Sequence, residues 1–590
     1  MFSTSLSKYT IMHFNLTLHG RAKGLAIIVV IIMAVFVVRL FYIQVIQHAY
    51  YKEQADSEQI KQFVLRAKRG EIFAMEGTTP VPLVMNETVY TVWVDPTQVL
   101  DKLAIVETLN KIAGGNVRKD FSQYIDRPNT RYQVLATKVT RTQAELLKKE
   151  DLAGVGFDAV SQRVYPEGQL ASQVLGFVDT EGEGKYGFEQ ANNDMLKGKD
   201  GVLKTVTDVR MVPLTVGDKN IKKPAQDGAS MVLTIDRNIQ SATEKALADG
   251  AERTGATQLS AIVMEPDTGK VLAMANLPTY DPSNLNVPNI EAFNNNTISN
   301  PYEPGSDIKS FTVAIGIDKG VITPSSTFNN TDYIKVEDIT ITNASKGQTG
   351  EITMQHALNW SLNTGMVTIA ERLGDGNYIT RGARDTMYDY FYNRFRLGKV
   401  TGIELANEAR GTIVSPTEAQ GNAVRYSNMA FGQGMDATML QVTAGFGAVI
   451  NGGVYHAPSI IAGTMVDDEF VPAADKPAYP GVVSPSTSAT VRDMIYQARQ
   501  AFYGRNDKQG YNIGGKTGTS QTIKNGKYVS TETIGTYLGF GGEKGKTPRY
   551  VIMVEVSGKD MNLSGGDHAL PIFTDISNWM IDYLRLVPQE

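Results

Sequence analysis

The sequence predicts an α+β protein that is held in a membrane by one helix and has two α+β domains outside it. Three features support this prediction. They are a long apolar segment near the N-terminus, an alternation of β-rich and helical segments after it, and a polar stretch with Pro224 and Gly228 that divides the remainder. The 590 residues suffice for about four structural units at roughly 150 residues each.

The composition excludes several classes of protein. The chain has 57 Lys+Arg, 62 Asp+Glu and a net charge of −5, which argues against a nucleic-acid binder with a clustered basic face. A hydrophobic content of 42% with only 20% charged residues excludes a mostly disordered chain. The absence of cysteine excludes disulfides, thiolate metal sites and a cysteine nucleophile.

Residues 24–46 form the predicted transmembrane helix. The run GLAIIVVIIMAVFVV carries no charge, Arg39 interrupts it, and LFYIQVI continues the apolar character to Ile46. A helix of this length spans about 35 Å at roughly 1.5 Å per residue, which is enough to cross a bilayer. The alternative is a cleaved signal peptide, which has a shorter apolar run and a following site of the A-x-A type.

The charges beside this helix predict its orientation. Lys8, Arg21 and Lys23 precede its apolar part, and residues 1–23 contain no acidic residue, whereas acidic and basic residues are mixed after it. The positive-inside rule therefore assigns residues 1–23 to a cytoplasmic tail and the bulk of the chain to the outside. We expect a single-pass protein, since no second segment of comparable hydrophobicity follows.

The first outer domain is predicted to be a mixed α+β pedestal over residues 47–228. It begins with a charged stalk and ends in a polar linker over residues 217–230. The segments that predict its character are the stalk 47–70, the β-rich residues 81–94, and the helical patterns 98–113 and 141–150.

The second outer domain, residues 229–590, is also predicted to be α+β. It opens with a short strand, a helix, and a hairpin whose turn reads Pro-Asp-x-x-Gly. Two more strands and an amphipathic helix follow near its end. Because strands occur at both ends with helices between them, we expect a sheet in which strands distant in sequence lie side by side.

Ser306 and Lys309 form the first candidate catalytic motif. A Pro-Gly pair precedes a helical pattern, so Ser306 is expected in the first turn and Lys309 on the same helix face. A serine nucleophile needs a base within hydrogen-bond reach, and a lysine serves where burial and nearby cations favour its neutral amine. Taken alone the spacing is weak, since Ser5 and Lys8 share it and a solvated helix face explains most such pairs.

Ser361 and Asn363 form the second motif. They are separated by one residue and follow an apolar-patterned segment, so both side chains are expected on one side of a tight turn. Ser361 suits a proton relay, and the Asn363 amide suits a substrate carbonyl. An ordinary turn between two helices is the alternative interpretation.

Lys516, Thr517, Gly518 and Thr519 form the third motif. The flanking glycines suit a strand edge where the backbone of a ligand approaches closely. One cation and two hydroxyl donors together suit a carboxylate. The alternative is a polar turn before a strand, and the segment does not fit the Gly-x-x-x-x-Gly-Lys-Ser/Thr pattern of a phosphate-binding loop.

The order of the motifs favours one site for acyl transfer. Ser361 follows Ser306 by 55 residues and precedes Lys516 by 155, and all three motifs lie in the second domain. They supply a nucleophile with its base, a proton relay, and a receptor for a carboxylate.

With these motifs the chain resembles the class B penicillin-binding proteins, the monofunctional peptidoglycan transpeptidases, over nearly its whole length. The Arg163 segment and FGQGMDATMLQ resemble the septal, cell-division branch more than the elongation branch. The resemblance implies a transpeptidase domain of the penicillin-binding-protein/β-lactamase type, with an antiparallel sheet flanked by helices. Further family-like segments are Arg69-Gly70-Glu71-Ile72, Arg163-Val164-Tyr165-Pro166, Gly187-Phe188-Glu189 and GGDHALPIF.

The resemblance also implies a role for the residues of the first two motifs. Ser306 attacks the carbonyl of the penultimate D-alanine of a stem pentapeptide and expels the terminal D-alanine. Lys309 accepts the serine proton, and Ser361 and Lys516 belong to the same proton and charge network. Asn363 holds the donor amide or assists Lys309.

The third motif completes the site in this resemblance. The segment Thr517, Gly518 and Thr519 binds the donor, with the threonines on its terminal carboxylate. The backbone N–H groups of Ser306 and Thr519 form the oxyanion hole. The amine of a neighbouring stem then attacks the acyl-enzyme and closes the cross-link. β-Lactams are expected to acylate Ser306, and no metal or cofactor is implied.

Two departures from the family pattern stand out. The family usually has Ser-Thr-x-Lys, whereas Asp307 follows the nucleophile here. Asp307 suits a helix N-terminus, but it is expected to raise the pKa of Lys309 and slow its action as a base. Residues 322–349 are less family-like, so the rim of the cleft is expected to differ.

The implied location is the bacterial cell membrane, and the implied partners are macromolecular. They comprise stem peptides of the lipid-linked precursor polymer, β-lactams, other divisome or elongasome proteins, and a polytopic membrane glycosyltransferase that contacts the transmembrane helix and pedestal. The alternatives are an elongation-type transpeptidase, a D,D-carboxypeptidase, a β-lactamase or sensor, and a catalytically weak division scaffold.

Overall fold

The structure is a computed structural model that describes residues 20–52, 60–127, 129–206, 221–524 and 527–589. The chain forms two compact units, which are described in turn. The first unit draws on Met1–Ala67 and Lys199–Gln226, and the second on Lys68–Gly198 and Asp227–Glu590.

The first unit contains an apolar helix and a small sheet. The helix Gly20–Phe41 continues through one π-helical turn, Tyr42–Ile46. The span Lys23–Ile46 has a mean hydropathy of 2.9 with none of it buried, so it is long and apolar enough to cross a membrane, as predicted for residues 24–46. The sheet is antiparallel, with Gly201–Val206 between Ile60–Leu65 and Ile221–Lys223.

The stretch 217–230 differs from the predicted linker. Ile221–Lys223 forms a strand because its backbone extends the ladder of Gly201–Val206, with Val202 opposite Lys223. Residues 217–220 of that stretch, residues 1–19 of the tail and residues 53–59 of the stalk lie outside the described residues.

A seven-stranded sheet organises the pedestal part of the second unit. Thr79–Val94, its longest strand, pairs antiparallel with Ile72–Glu76, Gln133–Val139 and Val155–Val164. Ser230–Asp236 lies parallel to Ile72–Glu76, and it pairs on its other side with Ile461–Val466, which in turn pairs with Glu469–Pro472. The sheet therefore continues across the domain boundary predicted at residue 228.

The helix predicted over residues 141–150 begins as predicted, whereas the helix predicted over residues 98–113 begins at Lys102, after a separate 3₁₀ turn Pro96–Gln98. Lys102–Ile112 has Asp101 as its N-cap, and Arg141–Lys149 begins with a capping box formed by Thr140 and Gln143. The remaining short elements are the helices Ser172–Leu175, Gly187–Ala191 and Asn193–Lys197 and the strand pair Phe177–Val178 and Gly184–Lys185.

A buried ion cluster joins three family-like segments of the pedestal. Glu189 is fully buried, and its two carboxylate oxygens bind the guanidinium groups of Arg69 and Arg163. Asn86 links the cluster, since its amide donates to the Arg69 carbonyl and accepts from Arg163 at 2.9 Å. The two ion pairs offset part of the cost of burying these charges.

The second half of this unit is built on a five-stranded antiparallel sheet. Strands from both ends of the domain are neighbours in it, as predicted, because the hairpin near residue 265 pairs with a strand near the C-terminus. The strand order is Val271–Leu277, Gln258–Met264, Tyr550–Ser557, Lys527–Glu543 and Tyr511–Lys524, which leaves Tyr511–Lys524 at one edge.

Helices cover both faces of this sheet. Ala261 and Val263 point into a core shared with the helices Arg237–Thr254 and Leu570–Tyr583, and Ile262 points into the opposite core. This is the two-residue alternation expected of a strand that is buried on both faces. The opposite core receives the helices Lys309–Asp318, Asn363–Arg372, Met439–Ile450 and Pro485–Phe502.

The remaining elements lie around these helices. Residues 322–349 include the paired strands Tyr333–Val336 and Ile339–Thr342. Others include the strand pairs Thr327–Asn330 with Gly350–Thr353 and Val454–His456 with Ala478–Pro480, and the helices Met354–Asn359, Arg381–Tyr388 and Ala423–Met429.

Candidate active site

Ser306 lies on a short turn ahead of a buried helix. The 3₁₀ turn Gly305–Ile308 leads directly into Lys309–Asp318, so Ser306 occupies the helix start, as predicted. Gly305 has a φ of +58°, and a side chain there would lie 3.0 Å from the Thr519 carbonyl oxygen. The glycine therefore allows the Ser306 turn to approach the Lys516 strand closely. The half-buried Ser306 hydroxyl has no hydrogen-bond partner among the described residues.

Ser361 is the point at which the three motifs meet. The Lys309 ammonium group donates to the Ser361 carbonyl oxygen at 2.5 Å and to its hydroxyl oxygen at 3.1 Å. The Lys516 ammonium group donates to the same hydroxyl oxygen at 2.9 Å. With both lone pairs accepting, the Ser361 hydroxyl keeps its proton to donate elsewhere. Such a hydroxyl can relay a proton.

The burial of the two lysines changes their pKa values. Lys309 is 1% exposed, and burial first and the Lys516 charge second hold its pKa well below the usual value of 10.5. Burial also lowers the pKa of Lys516, and the nearby Asp307 carboxylate opposes that shift. A lysine with a lowered pKa is neutral more often at neutral pH and can accept a proton.

Asp307 does not act on Lys309 as the sequence predicted. Its carboxyl is fully buried and accepts a hydrogen bond from the Thr536 hydroxyl at 2.7 Å, and its charge acts on Lys516. Burial raises the pKa of the Asp307 carboxyl. The expectation that Asp307 raises the pKa of Lys309 is therefore wrong, because the carboxyl faces the sheet and burial dominates at Lys309.

The third motif lies on the edge strand Tyr511–Lys524. Lys516 also donates to the Thr517 carbonyl oxygen at 2.9 Å and to its hydroxyl oxygen at 3.3 Å, and the Thr519 hydroxyl accepts from the Gly565 N–H at 3.2 Å. Gly518 lies opposite Thr536 in the ladder. Since an edge strand offers unpaired backbone groups, a peptide can bind along it.

Asn363 is near the site but faces another partner. Its amide nitrogen donates to the Thr342 carbonyl oxygen at 2.9 Å, and within the described part of the chain it forms no hydrogen bond with Lys309. The paired strands within residues 322–349 therefore lie against the second motif. This places the less family-like segment at the rim of the site.

The sequence reasoning missed several polar residues around the site. Thr536 binds Asp307, and Glu303 lies three residues before Ser306 with its carboxylate bound to the Gly434 N–H and the Tyr528 hydroxyl. The position of Glu303 directly before the Pro-Gly pair of the first motif could have indicated that it lies at the site. Nothing in the sequence around Thr536 and Tyr528 indicates this, because only the sheet brings them to the site.

Two family profiles match the chain over adjacent regions. The penicillin-binding protein transpeptidase domain matches residues 259–578, which is more than half of the chain. The penicillin-binding protein dimerisation domain matches residues 64–233.

Curated and structural relatives agree with these matches. Stage V sporulation protein D of Bacillus subtilis is 28% identical over 98% of this chain and 88% of its own length. Peptidoglycan D,D-transpeptidase FtsI of Escherichia coli is 26% identical over 95% of this chain and 91% of its own. The crystal structure of penicillin-binding protein 3 from Mycobacterium tuberculosis with aztreonam has a TM-score of 0.66 and 25% identity, covering 90% of this chain and 98% of that one. The chain belongs to the class B penicillin-binding proteins, the peptidoglycan transpeptidases of cell-wall synthesis.

Proposed function

We propose that this protein cross-links peptidoglycan stem peptides through an acyl-enzyme on Ser306. The observation that carries the proposal is the Ser361 hydroxyl, which accepts hydrogen bonds from both Lys309 and Lys516. That one oxygen joins the segments of all three motifs.

In the first half-reaction, Ser306 Oγ forms a bond to the carbonyl carbon of the penultimate D-alanine. The C–N bond to the terminal D-alanine then breaks. Lys309 in its neutral form accepts the serine proton, which passes through Ser361 and Lys516 to the leaving nitrogen. The lowered pKa values of both lysines support this role.

Backbone and strand groups hold the donor during this step. The backbone N–H groups of Ser306 and Thr519 donate hydrogen bonds to the oxyanion in this proposal. The close approach of Gly305 to the Thr519 carbonyl supports the proximity of these two backbone segments. The segment Thr517, Gly518 and Thr519 holds the terminal carboxylate, and Asn363 holds the donor amide.

In the second half-reaction, the amine of a neighbouring stem peptide bonds to the acyl carbon. The C–Oγ bond breaks, and the amine proton returns to Ser306 Oγ. β-Lactams are assigned to the same serine, and the crystal structure of the M. tuberculosis relative with aztreonam supports this. When Ser306 Oγ bonds to the lactam carbonyl carbon, the lactam C–N bond breaks. The lactam nitrogen stays tethered to the acyl group, so no leaving group departs and the adduct persists.

Labelling with a fluorescent penicillin tests the nucleophile. We expect stable labelling of the full-length protein in detergent and no labelling of Ser306→Ala. Ser283→Ala, in an exposed loop, is the control and is expected to label fully. Absence of label in the wild type favours a catalytically weak scaffold, and rapid release of label favours a D,D-carboxypeptidase or β-lactamase.

We further propose that the N-terminus is cytoplasmic and that the transmembrane helix binds a polytopic glycosyltransferase. The exposed apolar span Lys23–Ile46 supports the second part, because it offers a whole helix surface to lipid or a partner. Exchange of this span for an unrelated transmembrane helix is expected to abolish co-purification of the polymerase. Unchanged co-purification contradicts the proposal.

We assign the protein to septal rather than elongation synthesis, on the likeness of the Arg163 segment and FGQGMDATMLQ to the septal branch. A fluorescent fusion is expected at midcell in dividing cells. A uniform distribution along the lateral wall favours the elongation branch.

A further inference from the structure

A cavity of about 520 Å³, lined by both polar and apolar side chains, lies beside the Ser306 turn. Glu303, Arg425, Gly434 and Tyr528 are among the residues that line it. Its wall is tied to the turn at two points, because Gly305 N–H donates to the Gly432 carbonyl and Gly434 N–H donates to Glu303. Three Cα steps of 3.8 Å put the Cα of Glu303 within about 11 Å of that of Ser306.

Glu303 presents a buried carboxylate to this cavity. The residue is 7% exposed, and its carboxylate accepts from the Gly434 N–H at 2.6 Å and from the Tyr528 hydroxyl at 3.1 Å. A carboxylate can accept about four hydrogen bonds, so capacity for another donor remains. No lysine, arginine or histidine lies within 4.0 Å of it among the described residues, and burial raises its pKa. The Arg425 charge opposes that rise in pKa only in part and from beyond ion-pair distance.

Arg425 presents the opposite charge. Its guanidinium donates to the Gly434 carbonyl at 2.9 Å and to the Gln420 side chain at 3.4 Å. Arginine has five N–H donors, so most of this planar group remains open. In the part of the chain that the structure describes, it forms no ion pair with a carboxylate within 4.0 Å. Glu303 and Arg425 therefore line one cavity without forming a direct ion pair, although the Arg425 charge lowers the pKa of Glu303.

We propose that this cavity binds the reacting amino acid of the acceptor stem peptide. The acceptor residue that fits it carries an ammonium and a carboxylate on one carbon, as diaminopimelate does. Arg425 binds the carboxylate of this residue, and Glu303 binds its ammonium group. The inference rests on the proposed function, names the acceptor class for it, and adds no chemical step.

The two charges predict selectivity between acceptors. A lysine-type acceptor ends in an amine without a neighbouring carboxylate, so it leaves Arg425 without its charged partner. Charge-assisted hydrogen bonds are strong enough for a preference of about tenfold or more. Glu303 alone gives no such preference, because both acceptors carry the ammonium.

A competition between two acceptors tests the subsite. The full-length protein in detergent receives a D-Ala-D-Ala donor peptide with equal concentrations of two acceptor tripeptides, which differ only in meso-diaminopimelate or L-lysine at the third residue. Mass spectrometry gives the ratio of the two cross-linked products. We expect at least about tenfold more diaminopimelate product, a ratio near one for Arg425→Gln, and an intermediate ratio for Arg425→Lys.

The control variant is Arg141→Gln, since Arg141 is 77% exposed and forms its ion pair with Glu145 in the pedestal. It is expected to keep the wild-type ratio. Both products form in the same sample, so partial loss of folded protein does not alter their ratio. If Arg425→Gln does not fold, the product ratio of the wild type alone tests the subsite.

Equal use of the two acceptors by the wild type, or an unchanged ratio in Arg425→Gln, overturns the subsite and leaves the transpeptidase assignment standing. Penicillin labelling without any cross-linked product from either acceptor overturns the transpeptidase assignment and the subsite with it.

Discussion

Ser361 has a backbone φ of +55°, in the left-handed region that few residues other than glycine occupy. Such a conformation costs about 1–3 kcal/mol, which the surroundings must offset. Here both the carbonyl and the hydroxyl oxygen of Ser361 accept hydrogen bonds from the buried Lys309 ammonium group. The strained turn thus directs two oxygens of one residue at one lysine.

Removal of the Ser361 hydroxyl tests the relay. In Ser361→Ala the ammonium groups of Lys309 and Lys516 lose the acceptor that they share, and we expect the rate of penicillin acylation to fall about a hundredfold. Time-resolved labelling of the full-length protein measures this rate. The matched control is Ser310→Ala, because the buried Ser310 hydroxyl has no hydrogen-bond partner among the described residues. Equal rates in wild type and Ser361→Ala contradict the relay.

The pH dependence of acylation follows from Lys309. The residue accepts a proton only when neutral, and burial and the Lys516 charge lower its pKa. The rate of acylation should therefore rise with pH through this lowered pKa and level off well below pH 10.5. A series of labelling rates between pH 5 and pH 10 checks this. A rate that is still rising steeply at the top of the series indicates an ordinary lysine pKa.

Glu555 is expected to make folding stability depend on pH. It lies opposite Thr536 in the sheet, and burial raises the pKa of its carboxyl to about 7. A raised folded-state pKa means that the folded protein binds the proton more tightly than the unfolded chain. This contribution is therefore complete below about pH 4.5 and is lost as pH rises to about 7.

Glu555→Gln tests this contribution. We expect the variant to lose less thermal stability than the wild type between pH 4.5 and pH 7, with differential scanning calorimetry as the measurement. Glu145→Gln, at an exposed site, serves as the control. A parallel decline of wild type and Glu555→Gln shows that the carboxyl is not protonated in the folded state.

At the scale of elements, the edge strand Tyr511–Lys524 and the Ser306 turn depend on glycine for their contact. A side chain at Gly518 would lie 2.1 Å from the Thr536 hydroxyl and 2.8 Å from the Asp307 carboxylate. The sequence predicted that the glycines beside Lys516 suit a strand edge where the backbone of a ligand approaches closely. That the close partners are Thr536 and Asp307 depends on the pairing of the strand with Lys527–Glu543, which the sequence does not reveal.

Gly518→Ala tests the packing of this strand. The new methyl group must displace Thr536 or Asp307, and we expect penicillin acylation to fall at least about tenfold as the Lys516 strand shifts away from Ser306. Gly382→Ala is the control, since a side chain there meets only the Thr380 hydroxyl at 3.8 Å. Unchanged acylation in Gly518→Ala indicates that the strand moves without cost to the site.

At the scale of the whole molecule, the described part of the chain has one helix long and apolar enough to cross a membrane, and it is joined to a much larger α+β region. The helix was predictable because the length and composition of the segment alone determine whether it can span the apolar core of a bilayer. Its orientation is a proposal that rests on the basic residues before it. The family assignment does not depend on that orientation.

Cysteine labelling tests the orientation, because the natural chain has no cysteine to interfere. In intact cells we expect a membrane-impermeant maleimide to label Ser283→Cys, with access through the outer layers of the cell verified by a surface control. Ser3→Cys should label only after the membrane is opened. The reverse pattern contradicts a cytoplasmic N-terminus.

The sequence alone was enough to predict the apolar helix, the hairpin near residue 265, the helix over residues 141–150 and the helix start at Ser306. Each of these depends on residues close together in the chain. Tertiary structure alone decided the contacts between distant residues. Asp307 and Thr536 are 229 residues apart, Glu303 and Tyr528 are 225 apart, and Arg69 reaches Glu189 across 120 residues. Such contacts follow from strand order and register, which determine the charges around each lysine, and for this reason the effect of Asp307 was assigned to the wrong partner.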